Sequence, residues 1–142
     1  MKAADRTARE LILSIDGSVE GNPGPGAIGV VIEARDGTPV DAWGEAIGLV
    51  TNNQAEYGAL LAALRRAHLL GARTVVVRSD SQLLVRQLLG QYRVRDAKLR
   101  SLHHEAQRLA QSFERFAIEH IPREQNRAAD RLANRARLER PS

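Results

Sequence analysis

The sequence predicts an α/β fold in which a mixed five-stranded sheet is flanked by helices. Three observations lead to it. Three strand-like apolar segments come first, the later segments alternate between helical and strand periodicity, and the resulting order is β-β-β-α-β-α-α-β-α. Short turns join antiparallel neighbours, whereas parallel strands need longer, right-handed crossovers. We therefore expect the first three strands to pair antiparallel and the first, fourth and fifth strands to pair parallel.

The first half of the chain supplies the antiparallel strands. Residues 11–15 are a short apolar run, residues 26–35 are rich in Val and Ile, and Asp-Gly-Thr-Pro at 36–39 forms a turn between them and the third strand at 40–49. Residues 16–26 predict a rigid loop, or simply a hairpin turn, because they are rich in Gly, Asn and Pro. Residues 24–29 match the dinucleotide-binding pattern G-x-G-x-x-G, but a strand rather than a helix follows them, which excludes that site.

The second half alternates helices with strands. From residue 53 the apolar side chains recur at helical spacing until Gly71, and residues 74–78 form the next strand. Helices follow at about 80–89 and 96–112, separated by Gly90. Residues 116–121 are the last strand, which Pro122 ends, and residues 126–138 form the final helix.

Composition sets broad limits. A chain of 142 residues predicts a single domain over 1–142, with loose termini at about 1–10 and 139–142. The sequence has no cysteine, which excludes disulfides and thiolate metal sites, and it has no apolar run of membrane-spanning length. We expect a soluble, cytoplasmic monomer. The net charge of +4 permits a polyanionic partner without establishing one.

Four acids stand where strands end or helices begin: Asp16, Glu56, Asp80 and Asp130. Acids at the ends of adjacent buried strands converge on one point, and clustered carboxylates favour a divalent cation such as Mg²⁺ or Mn²⁺. This pattern indicates metal-dependent phosphoryl transfer. Taken singly, Asp80 is equally well explained as a helix N-cap, Glu56 as a first-turn acid and Asp130 as a solvated helix residue.

Four motifs in order resemble type 1 ribonuclease H. They are Asp-Gly-Ser at 16–18 with Gly-Asn-Pro-Gly-Pro-Gly at 21–26, Thr-Asn-Asn-Gln-Ala-Glu-Tyr at 51–57, Ser-Asp-Ser-Gln at 79–82, and Pro-Arg-Glu at 122–124 with Asn126, Ala-Asp at 129–130 and Leu-Ala-Asn at 132–134. Each motif carries one of the four acids, and the resemblance extends over nearly all of residues 11–134. We therefore expect a ribonuclease H-like fold.

The resemblance implies an endonuclease that hydrolyses the RNA strand of RNA/DNA hybrids without sequence specificity. Asp16, Glu56, Asp80 and Asp130 would be the catalytic acids and the ligands of two Mg²⁺ ions, with Mn²⁺ as a substitute. In this interpretation one cation activates water and the other stabilises the departing oxygen. Asp16 would bridge both ions, with Glu56 and Asp80 completing one site and Asp130 the other. The expected products carry a 5′-phosphate and a 3′-hydroxyl.

The resemblance also assigns substrate contacts, made mainly by amides that suit the 2′-hydroxyl of RNA. They are Asn22, Asn52, Asn53, Gln54 and Gln82, together with backbone contacts from Gly17 and Ser18 and a DNA-strand phosphate contact from Thr51. Each asparagine has a turn or capping role as its alternative. Double-stranded RNA stays open as a further substrate, because its minor-groove contacts overlap with those of a hybrid.

The chain departs from long bacterial members of this family at two places. Their basic protrusion near Gly90 has no room here, so Arg93, Arg95, Lys98 and Arg100 would supply the remaining phosphate contacts, and binding should be weak and salt-sensitive. His120 is either a catalytic assistant or an ordinary strand-end histidine. A rival hypothesis is a catalytically silent binding module, but clustered acids offer nothing to a phosphate binder.

Overall fold

The computed structural model describes residues 10–140. The strands are β1 (Glu10–Val19), β2 (Gly24–Ala34), β3 (Pro39–Val50), β4 (Thr74–Ser79) and β5 (Arg115–His120). The helices are α1 (Asn52–Leu69), α2 (Gln82–Leu88), α3 (Ala97–Gln111) and α4 (Arg127–Leu138), and a 3₁₀ turn (Arg123–Gln125) precedes α4. Within residues 10–140, no helix is both long enough and apolar enough to cross a membrane.

The five strands form one sheet in the order β3-β2-β1-β4-β5. β1 pairs antiparallel with β2, and β2 antiparallel with β3. β4 lies between β1 and β5 and is parallel to both. This is the mixed sheet that the order of elements predicts, so the fold class is confirmed.

Helices cover both faces of the sheet. α1 packs on β1 and β2 and also against α3, while α4 packs on β1, β2 and β3. The core between α1 and the sheet contains fully buried aliphatic side chains, among them Leu13, Ile15, Leu60, Leu64 and Val77. Their burial fixes α1 against the carboxyl half of β1, where the first of the four acids stands.

Two glycines let α4 lie directly on the backbone of the sheet. Asp16 of β1 pairs with Gly29 of β2, which pairs with Gly44 of β3, so the three residues form one row across the sheet. A Cβ at Gly29 would stand 2.1 Å from the carbonyl oxygen of Ala129, and a Cβ at Gly44 would stand 2.3 Å from that of Leu132. Only glycine permits this approach, which brings the first turn of α4 next to Asp16.

The structure corrects three details of the sequence prediction. β1 continues to Val19, so Asp16 lies inside the strand and the expected loop at 16–26 shrinks to the turn between Val19 and Gly24. The physical reason is that β4 pairs with β1 only as far as Ile15, whereas β2 pairs with it to Val19. The 3₁₀ turn before α4 is an element that periodicity did not predict.

The structure describes only part of the two termini that the sequence predicts to be loose. Residues 1–9 and 141–142 lie outside the described residues. At the described ends the structure differs from the expectation. Glu10 is paired in β1, and Arg140 donates hydrogen bonds to the carbonyl of Arg137 and to the carboxylate of Glu20.

Candidate active site

Three of the predicted acids meet at the carboxyl end of β4. Asp16 lies on β1 one residue beyond the last β1–β4 pair, Asp80 directly follows β4, and Glu56 is the fifth residue of α1. One carboxylate oxygen from each residue lies within 4.8 Å of the others. Parallel strands that end together place their following residues at one edge, and α1 supplies the third carboxylate from the face that it covers.

Gly17 permits this convergence from the side of α1. A Cβ at this position would stand 2.8 Å from the Cβ of Ala55 and 2.9 Å from Oε1 of Glu56. Any larger residue would therefore push α1 away from β1 and would carry Glu56 with it. Gly17 was predicted as a backbone contact for substrate, and the structure gives it this second role.

Asp130 approaches the same point from the opposite face of the sheet. It lies in the first turn of α4, lines the same cavity as the other three acids, and has a side chain that is 27% exposed. Asp130 is one of the neighbours that raise the pKa of Asp16, which places the two carboxyl groups near each other. The structure thus brings all four predicted acids together.

The structure also decides between the roles that single acids could have. Asp80 is not a helix cap, because Ser81 is the N-cap of α2 and its hydroxyl accepts the Leu84 N–H at 3.2 Å. Glu56 lies beyond the first turn of α1, which contains no acid. Helix capping therefore does not explain Asp80, and a first-turn position does not explain Glu56.

Burial and mutual repulsion hold protons on this cluster. Burial, and next to it the charges of neighbouring acids, raise the pKa of Asp16 well above its ordinary value. The same two causes, with Asp80 as the leading neighbour, raise the pKa of Glu56 to about 8. Only the backbone N–H of Gly17 acts on Glu56 in the opposite direction. A divalent cation would displace these protons, since its charge favours the ionised carboxylates.

One atom of the cluster fits a metal ligand particularly well. Oε1 of Glu56 is buried and has no hydrogen-bond partner among the described residues. An unsatisfied buried carboxylate oxygen costs free energy unless a cation or a proton compensates it. The donor set consists of carboxylate oxygens only, which suits a hard cation such as Mg²⁺ or Mn²⁺. The residues present therefore fit a divalent metal.

We expect the metal-free protein to lose stability as the pH rises. The folded-state pKa values of Asp16 and Glu56 are raised above their unfolded values. At pH values between the unfolded and the folded pKa, the folded state therefore binds more protons than the unfolded state. The stabilisation is therefore complete below about pH 4 and is lost as the pH approaches and passes about 8, the folded pKa of Glu56. Thermal unfolding midpoints in chelator between pH 5 and 9 measure this loss, which Glu56→Gln should reduce. A midpoint that rises with pH in chelator would contradict it.

The acids line a cavity of about 480 Å³ together with part of the predicted substrate-binding set. Gly17, Ser18, Asn52 and Asn53 lie in its wall. Four other predicted contacts, Asn22, Thr51, Gln54 and Gln82, do not line this cavity. The cavity wall also contains Arg123, Asn134 and Arg137, which the sequence interpretation did not assign to the site.

The predicted contacts outside the cavity have structural partners. Thr51 and Gln54 form a capping box at the start of α1, since the Thr51 hydroxyl accepts from the Gln54 N–H and the Gln54 side chain accepts from the Thr51 N–H. Oδ1 of Asn22 accepts the backbone N–H of Asn52 at 3.0 Å. This contact ties the β1–β2 turn to the start of α1. Gln82 lies exposed at the start of α2, in a groove that it shares with His120.

The basic residues named from the sequence do not line the acid cavity. His120 is exposed at the end of β5, opposite Ser79, and its part in catalysis stays a prediction. Arg93, Arg95, Lys98 and Arg100 are exposed between α2 and the start of α3, and none of them lines the acid cavity. A contact between these residues and a bound duplex stays a prediction.

Asn126 connects three of the four acids, a role that sequence reasoning missed. It is 2% exposed, and its Nδ2 donates to the Ile15 carbonyl at 2.8 Å and to Oδ2 of Asp80 at 3.2 Å. Its own carbonyl accepts the N–H of Asp130. Asn126 thus holds the backbone next to Asp16, the carboxylate of Asp80 and the turn that carries Asp130. Its place in a recognised motif was the available signal, but a helix-cap role explained it equally well.

We expect Asn126→Ala to lower both stability and activity. The change removes two hydrogen bonds and leaves the buried Ile15 carbonyl without this donor, which costs about 1–3 kcal/mol. Release of Asp80 should lower the rate by roughly 10- to 100-fold, the usual effect of losing a residue that orients a metal ligand. Chemical denaturation and initial rates measure the two effects, with Gln125→Ala as the exposed neighbouring control. Unchanged rates in a folded Asn126→Ala protein would refute this role.

Fold and site together define a class: an α/β protein with a cluster of carboxylates, fit to hold a metal, where parallel strands end. Residues 14–136 match the protein-family model described as "Reverse transcriptase-like". The chain is 46% identical over 121 residues to ribonuclease HI of Halobacterium salinarum, covering 85% of this chain and 61% of that protein. The crystal structure of RNase H1 from Halobacterium salinarum NRC-1 superposes with a TM-score of 0.90 at 42% identity, covering 92% of this chain and 99% of that one. The chain belongs to the ribonuclease H family.

A further solved structure, LC11-RNase H1 in complex with an RNA/DNA hybrid, is 37% identical with a TM-score of 0.87 and covers 92% of this chain and 98% of that one. The chain spans only part of the length of the curated relatives that it matches at 43–46% identity. It spans 61% of the Halobacterium protein and 35% of the bifunctional protein Rv2228c of Mycobacterium tuberculosis. The resemblance therefore concerns only part of these two proteins.

Proposed function

We propose that this chain is an endonuclease that hydrolyses the RNA strand of RNA/DNA hybrids without sequence specificity. The observation that carries the proposal is the convergence of Asp16, Glu56 and Asp80 within 4.8 Å around a buried carboxylate oxygen that has no protein partner. Family membership supports the same reaction. The solved complex of a related RNase H1 with an RNA/DNA hybrid supports the substrate class.

The four acids would hold two divalent cations, Mg²⁺ with Mn²⁺ as a substitute. Such cations supply activation of water and stabilisation of the departing oxygen, and the products would carry a 5′-phosphate and a 3′-hydroxyl. The protein's own part is positioning. Asp16, which lies between α1 and α4, is the proposed shared ligand, and Asn126 orients Asp80. Arg123, whose guanidinium lies 3.8 Å from Asp130, adds positive charge at the mouth of the cavity.

Recognition of RNA would come from amides and backbone at the same cavity. Asn52 and Asn53 lie at the start of α1 and line the cavity with Gly17, so they are available to a strand bound there. Such groups suit the 2′-hydroxyl, which donates and accepts, and they contain no sequence information. The cytoplasmic location and the monomeric state stay predictions from the sequence.

Cleavage of four end-labelled duplexes of one sequence tests the proposal. They are RNA/DNA, RNA/RNA, DNA/DNA and a DNA duplex with one ribonucleotide, each incubated with Mg²⁺, Mn²⁺ or chelator. We expect cutting of the RNA strand mainly in the hybrid, and none with chelator. Equal cutting of RNA/RNA would widen the substrate class. Binding without cutting in any metal would make the chain a silent module and would overturn the proposal.

A further inference from the structure

The wall of the cavity opposite α1 contains a hydrogen-bonded group that the proposed reaction does not use. The Ser18 hydroxyl donates to Oδ1 of Asn134 at 2.6 Å and accepts from Nε of Arg137 at 2.8 Å. All three residues line the cavity that the four acids share. The side chain of Arg137 is only 19% exposed, so this is a partly buried cation beside a cluster of acids.

The hydrogen bonds determine which groups face the cavity. Nε of Arg137 is only a donor, so Ser18 must accept there and must give its single proton to an acceptor, the Oδ1 of Asn134. Ser18 therefore has no hydroxyl proton left for a substrate, and the contact predicted for it is one through its backbone. The Nδ2 of Asn134 and the two terminal nitrogens of Arg137 make no hydrogen bond within residues 10–140. The unpaired nitrogen groups of this cluster are therefore donors, and the oxygens of Ser18 and Asn134 each keep one further lone pair.

The acidic partner of Arg137 is weakly engaged. NH1 of Arg137 lies 3.7 Å from the Glu20 carboxylate, and Arg140 lies closer to the same carboxylate, at 3.3 Å. Glu20 is 61% exposed, so solvent screens both pairs. Arg137 therefore keeps most of its capacity for another anion. A guanidinium held by one bond through Nε presents its terminal nitrogens as a fork, which matches two oxygens of a phosphate.

We infer that Arg137 and Asn134 form a phosphate-binding subsite for the strand that is cut, at a phosphodiester next to the scissile one. The inference rests on the proposed function and names a contact that the acids do not provide. In this arrangement Ser18 is a positioning residue that fixes both side chains. The subsite would compensate in part for the lack of basic side chains elsewhere around the cavity, where Arg123 is the other cation in the wall.

The test is the salt dependence of hybrid binding, measured with Asp16→Asn protein in Mg²⁺ so that no cutting occurs. Each neutralised phosphate contributes about 0.9 to the slope of log K against log salt concentration for a duplex. We expect Arg137→Gln to lower the slope by about 0.9 and to weaken binding roughly tenfold at 0.1 M salt. Arg140→Gln is the matched control, because Arg140 shares Glu20 but does not line the cavity.

Cleavage by protein with Asp16 intact separates binding from support of the fold. Arg137→Gln should raise KM with kcat changed less than about threefold, and Arg137→Lys should restore part of the loss, since lysine keeps the charge and loses the fork. If the slope of log K against log salt concentration is the same with Arg137→Gln as with Arg137 intact, the proposed subsite is wrong. An equal effect of Arg140→Gln would overturn it too, because net charge alone would then explain the change.

Glu20→Gln provides a second variant that does not disturb the cavity wall. Removal of this exposed carboxylate should tighten hybrid binding, and the gain should vanish when Arg137→Gln is added, if Arg137 contacts a phosphate. A gain that persists in the double variant would overturn the inference. If the hybrid binds but is never cut, the proposed function is refuted. The salt-dependence slope of hybrid binding would then still test the subsite by itself. Absence of any hybrid binding would refute both.

Discussion

Asp16→Asn should abolish hydrolysis and yet leave a protein that is more stable than the original in chelator. Asp16 lies at the centre of the four acids, so its loss should cost several kcal/mol of transition-state stabilisation, or a rate decrease on the order of 10³-fold or more. The same change removes a buried carboxyl from a cluster of like charges. Relief of that repulsion raises the free energy of unfolding wherever Asp16 would otherwise ionise.

Initial rates and thermal unfolding with and without Mg²⁺ measure both effects. The gain in chelator should be small at pH 5 and should grow toward pH 9, where a change of about 1 kcal/mol corresponds to roughly 3–5 °C. Added Mg²⁺ should then stabilise the original protein more than the variant. Glu114→Gln, an exposed acid far from the cavity, should change neither property. An Asp16→Asn protein that unfolds more easily in chelator at every pH would refute the metal-site interpretation.

Among residues without a reactive side chain, Gly29 should be the one whose replacement by alanine lowers stability and activity most. The added Cβ would stand 2.1 Å from the carbonyl oxygen of Ala129, which is helix backbone and cannot turn aside. α4 would have to move off the sheet, at a cost of about 3 kcal/mol or more. Because Asp130 follows Ala129, the shift would also withdraw the fourth acid from Asp16, so activity should fall along with stability.

Chemical denaturation and initial rates under conditions where the variant is still folded separate the two effects. Gly58→Ala is the matched control, because its Cβ would be at least 3.5 Å from any neighbour and the residue lies inside α1. That change should stabilise the protein by up to about 1 kcal/mol through helix propensity. A Gly29→Ala protein with the original stability would show that α4 does not depend on contact with the sheet backbone.

The same glycine shows how far local patterns can be interpreted. Gly29 ends a segment that matches a dinucleotide-binding pattern, and the following strand was sufficient to reject that pattern. The actual reason for glycine at this position is the crossing of α4, whose nearest residue is 100 positions later in the chain. No local pattern contains a contact of that range. The sequence therefore excluded a dinucleotide-binding role for Gly29 but did not predict its contact with α4.

The residues predicted to contact substrate also show the difference between local patterns and long-range contacts. Thr51 and Gln54 belong to a capping box whose spacing is visible in the sequence, yet the resemblance assigned both to substrate. Ser18 was predicted as a backbone contact and lines the cavity, while its hydroxyl donates to Asn134, which is 116 residues away. A motif therefore located these residues near the cavity, while their hydrogen bonds depend on which distant partner the fold brings to them.

The sequence by itself determined the order of elements, the mixed sheet, the family and the four acids, because periodicity and short motifs are local properties of the chain. Only the tertiary structure decided how these parts meet. The depth at which α4 lies on Gly29 and Gly44, the link from Asn126 to Ile15 and Asp80, and the fixing of Arg137 by Ser18 are all contacts between distant segments. Such contacts arise when buried surfaces pack, and packing fixes distances that no spacing along the chain encodes.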